Sequence, residues 1–209
     1  MKKIRNFISL YIKDKSARLN LSIFLGLILN VLYIFFNLVV GIIYRNVWFI
    51  TVSAYYSVIV FLRYLVISDG QNVSRVSIEN SKRAGMLMML LGIPVTGIII
   101  YTVLLGISKE YAYVFLVFLA LHSLFAITRS LFSYIKMHRE GAVLRAVHSV
   151  RLSGALMSVF NFQTAILPLV LNSQKTRIIL NFITGSVASL SIFALAYGII
   201  SDANRELRE

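Results

Sequence analysis

Hydrophobic positions along this chain come in long blocks, and the polar residues between them form short, mostly basic clusters. Six blocks are apolar and long enough to cross roughly 30 Å of hydrocarbon as helices: Leu21–Ile43, Val47–Ser68, Ala84–Gly106, Tyr113–Ile135, Ser153–Asn172 and Ile178–Ile200. Only helices and closed barrels satisfy their backbone in lipid, and strict period-two alternation is absent, so the spans are read as helices. Tyr44-Arg45-Asn46 is all that joins the first two spans, which makes them an antiparallel hairpin. Connections are also short after spans three and five, but longer and basic after spans two and four. The pattern predicts an all-α, polytopic membrane protein with six transmembrane helices over 21–200 and a short tail at 201–209.

Before the first span the periodicity changes. Residues 1–20 carry Lys2, Lys3, Arg5, Lys13, Lys15 and Arg18, while Ile4, Phe7, Ile8, Tyr11 and Ile12 recur on one helical face. Such a segment is expected to lie in the interface, its lysines toward anionic headgroups. The apolar run behind it is longer than the core of a cleavable signal, which is roughly 7–15 residues.

Composition sharpens the class. The 209 residues are 58% hydrophobic and only 14% charged, where a soluble domain carries about 25% charge. Both surface and core must therefore be apolar. The chain has no cysteine, which excludes disulfides, thiol catalysis and thiolate metal sites. A net charge of +13 suggests nucleic acid at first sight. The basic residues, however, sit at the ends of apolar blocks, where they fit anionic lipid and the positive-inside pattern, and no nucleic acid partner is expected. Seventeen of the 21 Lys and Arg fall in the N-terminus, 63–83, 129–151 and the tail. Arg45, Lys109, Lys175 and Arg177 are on the other side. This places both termini in the cytoplasm and the protein in the cell membrane.

No acid falls inside a span. Asp14, Asp69, Glu79, Glu110, Glu140, Asp202, Glu206 and Glu209 all lie outside. Proton-driven and divalent-cation carriers usually keep an intramembrane carboxylate, so neither a metal nor another cofactor is expected. The uncharged polar residues carry what chemistry there is. Asn30, Tyr33 and Asn37 share one face of span one, and Tyr55 and Tyr56 lie midway along span two. His122 and Arg129 share a face of span four, with Arg129 near enough to the end to snorkel. Asn161, Gln163 and Thr164 stand on span five ahead of Pro168, where a local kink is expected. Without a second ligand in a span, His122 reads as a packing residue. Gly185/Ser189 and Ala194/Gly198 give span six small-xxx-small spacing, which suits a central position or a homodimer seam. Arg139, Glu140, Arg145, His148 and Arg151 read as a solvated basic loop. With no P-loop, HExxH, GxSxG or paired carboxylates, the chain does not read as an enzyme.

The first hairpin resembles the membrane domain of cation diffusion facilitators. Asn30, Asn37 and Gly41 hold the places of that family's Asn, Lys and Gly in its first span. Asn46–Tyr55 can be laid on its entry to the metal site, with a weaker echo at Leu144–Val159. The resemblance implies a six-helix scaffold with cytoplasmic termini. It does not carry the metal ligands, whose positions hold Val52, Tyr55, Ile59, Val150 and Gly154 here. The chain is also similar to small six-span bacterial membrane proteins.

Two functions follow as expectations. One is a transporter-like protein without a metal site, moving a small neutral or anionic solute. Its pathway would use Asn30, Tyr33, Asn37, Tyr55, Arg63, His122, Arg129 and Gln163, around a cavity between spans one, two, four and five. The alternative is a non-transporting scaffold or subunit, whose interior polar groups merely bond the bundle.

Overall fold

The computed structural model describes residues 15–67, 75–105, 113–136 and 141–208. Among them are six helices: α1 (Lys15–Ile43), α2 (Val47–Ile67), α3 (Arg75–Leu105), α4 (Tyr113–Lys136), α5 (Ala142–Val170) and α6 (Gln174–Glu206). No strand occurs among the described residues. Five helices, all but α3, are long and apolar enough to cross a membrane by length and composition. The expected interfacial helix falls mostly on residues 1–14, outside the described residues, and Lys15–Asn20 already belong to α1.

The α1–α2 hairpin closes as its three-residue link requires. Asn46 N–H donates to Gly41 O at 2.8 Å and Arg45 N–H to Ile42 O at 3.2 Å, the paired bonds of a Schellman ending. Arg45 takes the left-handed position at φ 47°. Asn46 then caps the next helix, its Oδ1 accepting from Trp48 N–H at 3.0 Å. Gly41 is required by close approach, since a Cβ there would lie 2.9 Å from the Ile50 backbone nitrogen.

Helix α2 runs through the middle of the bundle. Phe49, Val52, Tyr55, Tyr56, Ile59, Leu62 and Val66 recur at three- and four-residue steps and are all buried. It packs against α1, α3 and α5. The α3–α6 contact is the most extensive between any two helices. Lipid offers no hydrophobic reason for helices to associate, so close packing and polar contacts must hold them. Small residues provide both here. A Cβ on Gly185 would come within 2.5 Å of Ile99 Cγ2, and the hydroxyls of Thr96 and Ser189 are 2.6 Å apart. Gly185 and Ser189 thus serve α3 within the chain, while Gly198 faces open space.

Two expectations change at the ends of α5 and α6. Helix α5 begins at Ala142, eleven residues before the expected Ser153, so Arg145, His148 and Arg151 are helical and not a solvated loop. The charges had lowered the apolar signal there, but tertiary partners offset them. Arg145 pairs with Asp202 at 3.1 Å and Glu206 at 3.4 Å on α6. Glu206 also caps the start of α5, its Oε1 accepting from Ala142 N–H at 2.6 Å, where the helix dipole favours a carboxylate. Helix α6 therefore continues through Glu206. Pro168 lies in the last turn of α5, which ends at Val170.

Candidate functional site

Helix α3 packs on α6, α4 on α5, α5 on α6 and α1 on α2, while α2 and α5 meet in the middle. Among the described residues, α1 and α4 meet through side chains and share no extensive backbone contact. Between α1, α2, α4 and α5 lies a cavity of about 390 Å³, within the usual range for small-molecule sites.

Three arginines converge on it. Arg63 comes from the last turns of α2, Arg129 from the second half of α4 and Arg151 from the first half of α5; all three line the cavity. They are close enough to repel one another electrostatically. Glycine makes room for two of them. A Cβ on Gly26 would sit 2.6 Å from Arg129 Nη1, and one on Gly154 would be 3.7 Å from Arg63 Nη2. Arg129 is therefore turned inward against α1, with its guanidinium 5.8 Å from the Phe125 ring centre. Gly26 leaves the space and Phe125 the surface on which this partly buried guanidinium rests.

Deeper in the cavity stand Asn30 and His122, only 7% and 8% exposed. Asn30 Nδ2 and His122 Nδ1 are buried without a hydrogen-bond partner, as is Arg63 Nε. Such groups cost about 1–3 kcal/mol each when left unsatisfied. Among the described residues that line the cavity there is no carboxylate. Tyr56, Tyr64 and Ser130 also line it, and the rest of the wall is apolar, from residues such as Leu27, Leu29, Phe125 and Val147.

The opposite half of the same four helices is packed and bonded shut. The Tyr33 ring stacks on His122 with centroids 3.7 Å apart, and Phe36 meets Phe118 at 4.1 Å. Beyond them Asn161 ties three groups together. Its Oδ1 accepts from Trp48 Nε1–H at 2.7 Å. Its Nδ2 donates to Tyr33 OH at 2.7 Å and Asn37 Oδ1 at 3.0 Å. Asn37 Nδ2 in turn donates to the Tyr33 carbonyl at 2.8 Å.

Of the sequence candidates, Asn30, Arg63, His122 and Arg129 are therefore brought into one cavity. Tyr33 and Asn37 belong to the plug beside it. Tyr55 does not line the cavity: it is buried with its hydroxyl beside Ser153 but without a completed hydrogen bond. Gln163 is not among the residues lining this cavity. Its Nε2 donates to Thr184 Oγ1 at 2.8 Å and Leu180 O at 3.3 Å on α6.

Sequence reading left out of the pathway two residues that line the cavity, Arg151 and Tyr56, whose hydroxyl donates to the Gly154 carbonyl. A signal for Arg151 was present. Val147, Val150, Gly154, Met157 and Asn161 continue one helical face straight through the basic stretch. No protein-family model matches the chain, and no curated protein or solved structure does either.

Proposed function

We propose that this is a six-span membrane protein with a transporter-like bundle, whose arginine-lined cavity accepts an anion from the cytoplasmic side. The observation that carries the reading is the convergence of Arg63, Arg129 and Arg151 on one cavity with no lining carboxylate among the described residues. Charges this deep in a bundle are expensive and usually mark a solute or ion path. Arginine also matches oxyanions in geometry, with its planar donors forming bidentate pairs. The dry plug of Tyr33, Asn37 and Asn161 at the other end is what the closed gate of a carrier would look like. The cation diffusion facilitator likeness contributes a scaffold to this reading and no metal site.

A direct test is thermal unfolding of the purified protein in neutral detergent, titrated with inorganic phosphate at constant ionic strength. Saturable stabilisation is expected, reaching about 2.7 kcal/mol at a hundred times the dissociation constant. Arg63→Gln should abolish it. No saturable shift would favour the scaffold reading, for which the completely bonded Asn161 is the specific support.

The cytoplasmic placement of the cavity follows from the positive-inside distribution. A cysteine-free chain makes this simple to check. Arg45→Cys should react with a membrane-impermeant maleimide added outside intact cells; reaction only after permeabilisation would reverse the topology.

A further inference from the structure

We infer that the anion is a small organic monocarboxylate, seated with its carboxylate at the inner end of the cavity and its apolar body toward the mouth. This rests on the anion-site reading above and names its ligand class. The unpartnered atoms of the cavity define that inner end. Asn30 Nδ2 and Arg63 Nε are buried without a hydrogen-bond partner, and by their chemistry they only donate. His122 Nδ1 is buried without one too and gives a third donor when it carries the ring proton. Asn30 and His122 are each more than nine-tenths buried, and both line the cavity.

Arg63 is aimed inward by its packing. It lies beyond Tyr56 toward the C-terminal end of α2, where a long side chain can snorkel to the interface. Instead its Nη2 is 3.7 Å from where a Cβ on Gly154 would stand, beside the residue whose carbonyl accepts from the Tyr56 hydroxyl. From there it is within electrostatic range of His122 on α4. One inward cation with a donor atom left over suits one negative charge. Arg129 and Arg151 also line the wall, but each engages other groups of the chain, and the carboxylate needs neither.

The contacts between α1 and α4 set the depth of each wall residue. Arg129 reaches Gly26, Tyr33 stacks on His122 and Phe36 meets Phe118, so the two helices run antiparallel with the plug past His122. Away from the plug the wall turns apolar. Leu27 is one turn from Asn30, Phe125 and Ala126 are one turn from His122, and Val147 comes from α5. The cavity of about 390 Å³ holds about a dozen non-hydrogen atoms, at the roughly 30 Å³ a water takes in the liquid. An inorganic oxyanion would occupy the inner end and leave the apolar wall uncovered. A carboxylate on a short hydrocarbon body matches both parts, because its oxygens project from one end only.

The test is binding of radiolabelled hexanoate to the full chain in neutral detergent at constant ionic strength. Acetate, butyrate, hexanamide and inorganic phosphate serve as competitors. Saturable binding is expected, and each methylene removed from hexanoate should weaken competition about fourfold. Phosphate should compete more weakly than hexanoate. Hexanamide, equal in size but uncharged, should not compete. Arg63→Gln should weaken hexanoate about thirtyfold or more, the usual cost of removing one partner of a buried charge pair. Asn30→Leu should weaken it about tenfold, with an unfolding transition no lower than the parent's, since Asn30 Nδ2 has no partner to lose. Arg45→Gln, on the far end, should change nothing. Equal competition by acetate, butyrate and phosphate, or displacement by hexanamide as effective as by hexanoate, would overturn the inference. Binding that survives both Arg63→Gln and Asn30→Leu would do the same. Saturable stabilisation by phosphate without hexanoate binding would overturn the carboxylate and leave the anion site standing. Failure of both would remove the two together.

Discussion

Arg63→Met should make the empty protein more stable and, in the same step, blind to phosphate. Like charges repel by about 2 kcal/mol over roughly 8 Å at an effective dielectric of about 20, and Arg63 faces two others, Arg129 and Arg151. Its Nε is also buried without a partner. Methionine keeps much of the stem's packing and removes both costs. A gain of about 1–3 kcal/mol is expected, or roughly 2–4 °C in melting temperature for each kcal/mol in a chain of this size. Binding sites commonly hold strain of this kind. If Arg63 were only bundle glue, the same substitution would lower the melting temperature, and that result would remove the case for a site.

The largest loss is expected at Asn161. Asn161→Leu nearly preserves volume but strips partners from Trp48 Nε1–H, Tyr33 OH and Asn37 Oδ1 at once. Interhelical hydrogen bonds in membranes average only about 0.6 kcal/mol, so three lost bonds alone would cost about 2 kcal/mol. Orphaning buried groups adds to that, because each unsatisfied atom costs about 1–3 kcal/mol. A destabilisation of about 3–5 kcal/mol is expected in a denaturant titration with reversible refolding. The mechanism is tested by the double substitution Trp48→Phe with Asn161→Leu. Removing both members of a pair leaves fewer orphans, so the double variant should lose less than the two single losses added together. Strict additivity would mean that Asn161 stabilises by packing alone.

These two residues show what was readable before the fold and what was not. Asn161 was visible as a polar residue inside an apolar block, but its three partners come from positions 33, 37 and 48, more than a hundred residues away. Nothing in local periodicity distinguishes it from Gln163, which faces α6 instead. Arg151 was visible as a charge and assigned to a loop, because charge lowers the apolar signal by which spans are recognised. Its helix persists because Arg145 finds Asp202 and Glu206 across the α5–α6 contact.

The order of apolar blocks determined by itself that the chain is helical, with segments long and apolar enough to cross a membrane. The reason is local: lipid requires each segment to satisfy its own backbone, so length and composition suffice. The three-residue link Tyr44-Arg45-Asn46 likewise determined the α1–α2 hairpin. Which polar residues became a plug and which a cavity was decided only in three dimensions. Rotation and separation of packed helices depend on small-residue contacts, such as those of Gly26, Gly154 and Gly185, whose partners lie far along the chain. The gathering of Arg63, Arg129 and Arg151 is of this kind, since each is unremarkable on its own helix and charge repulsion would separate them if packing did not bring them together.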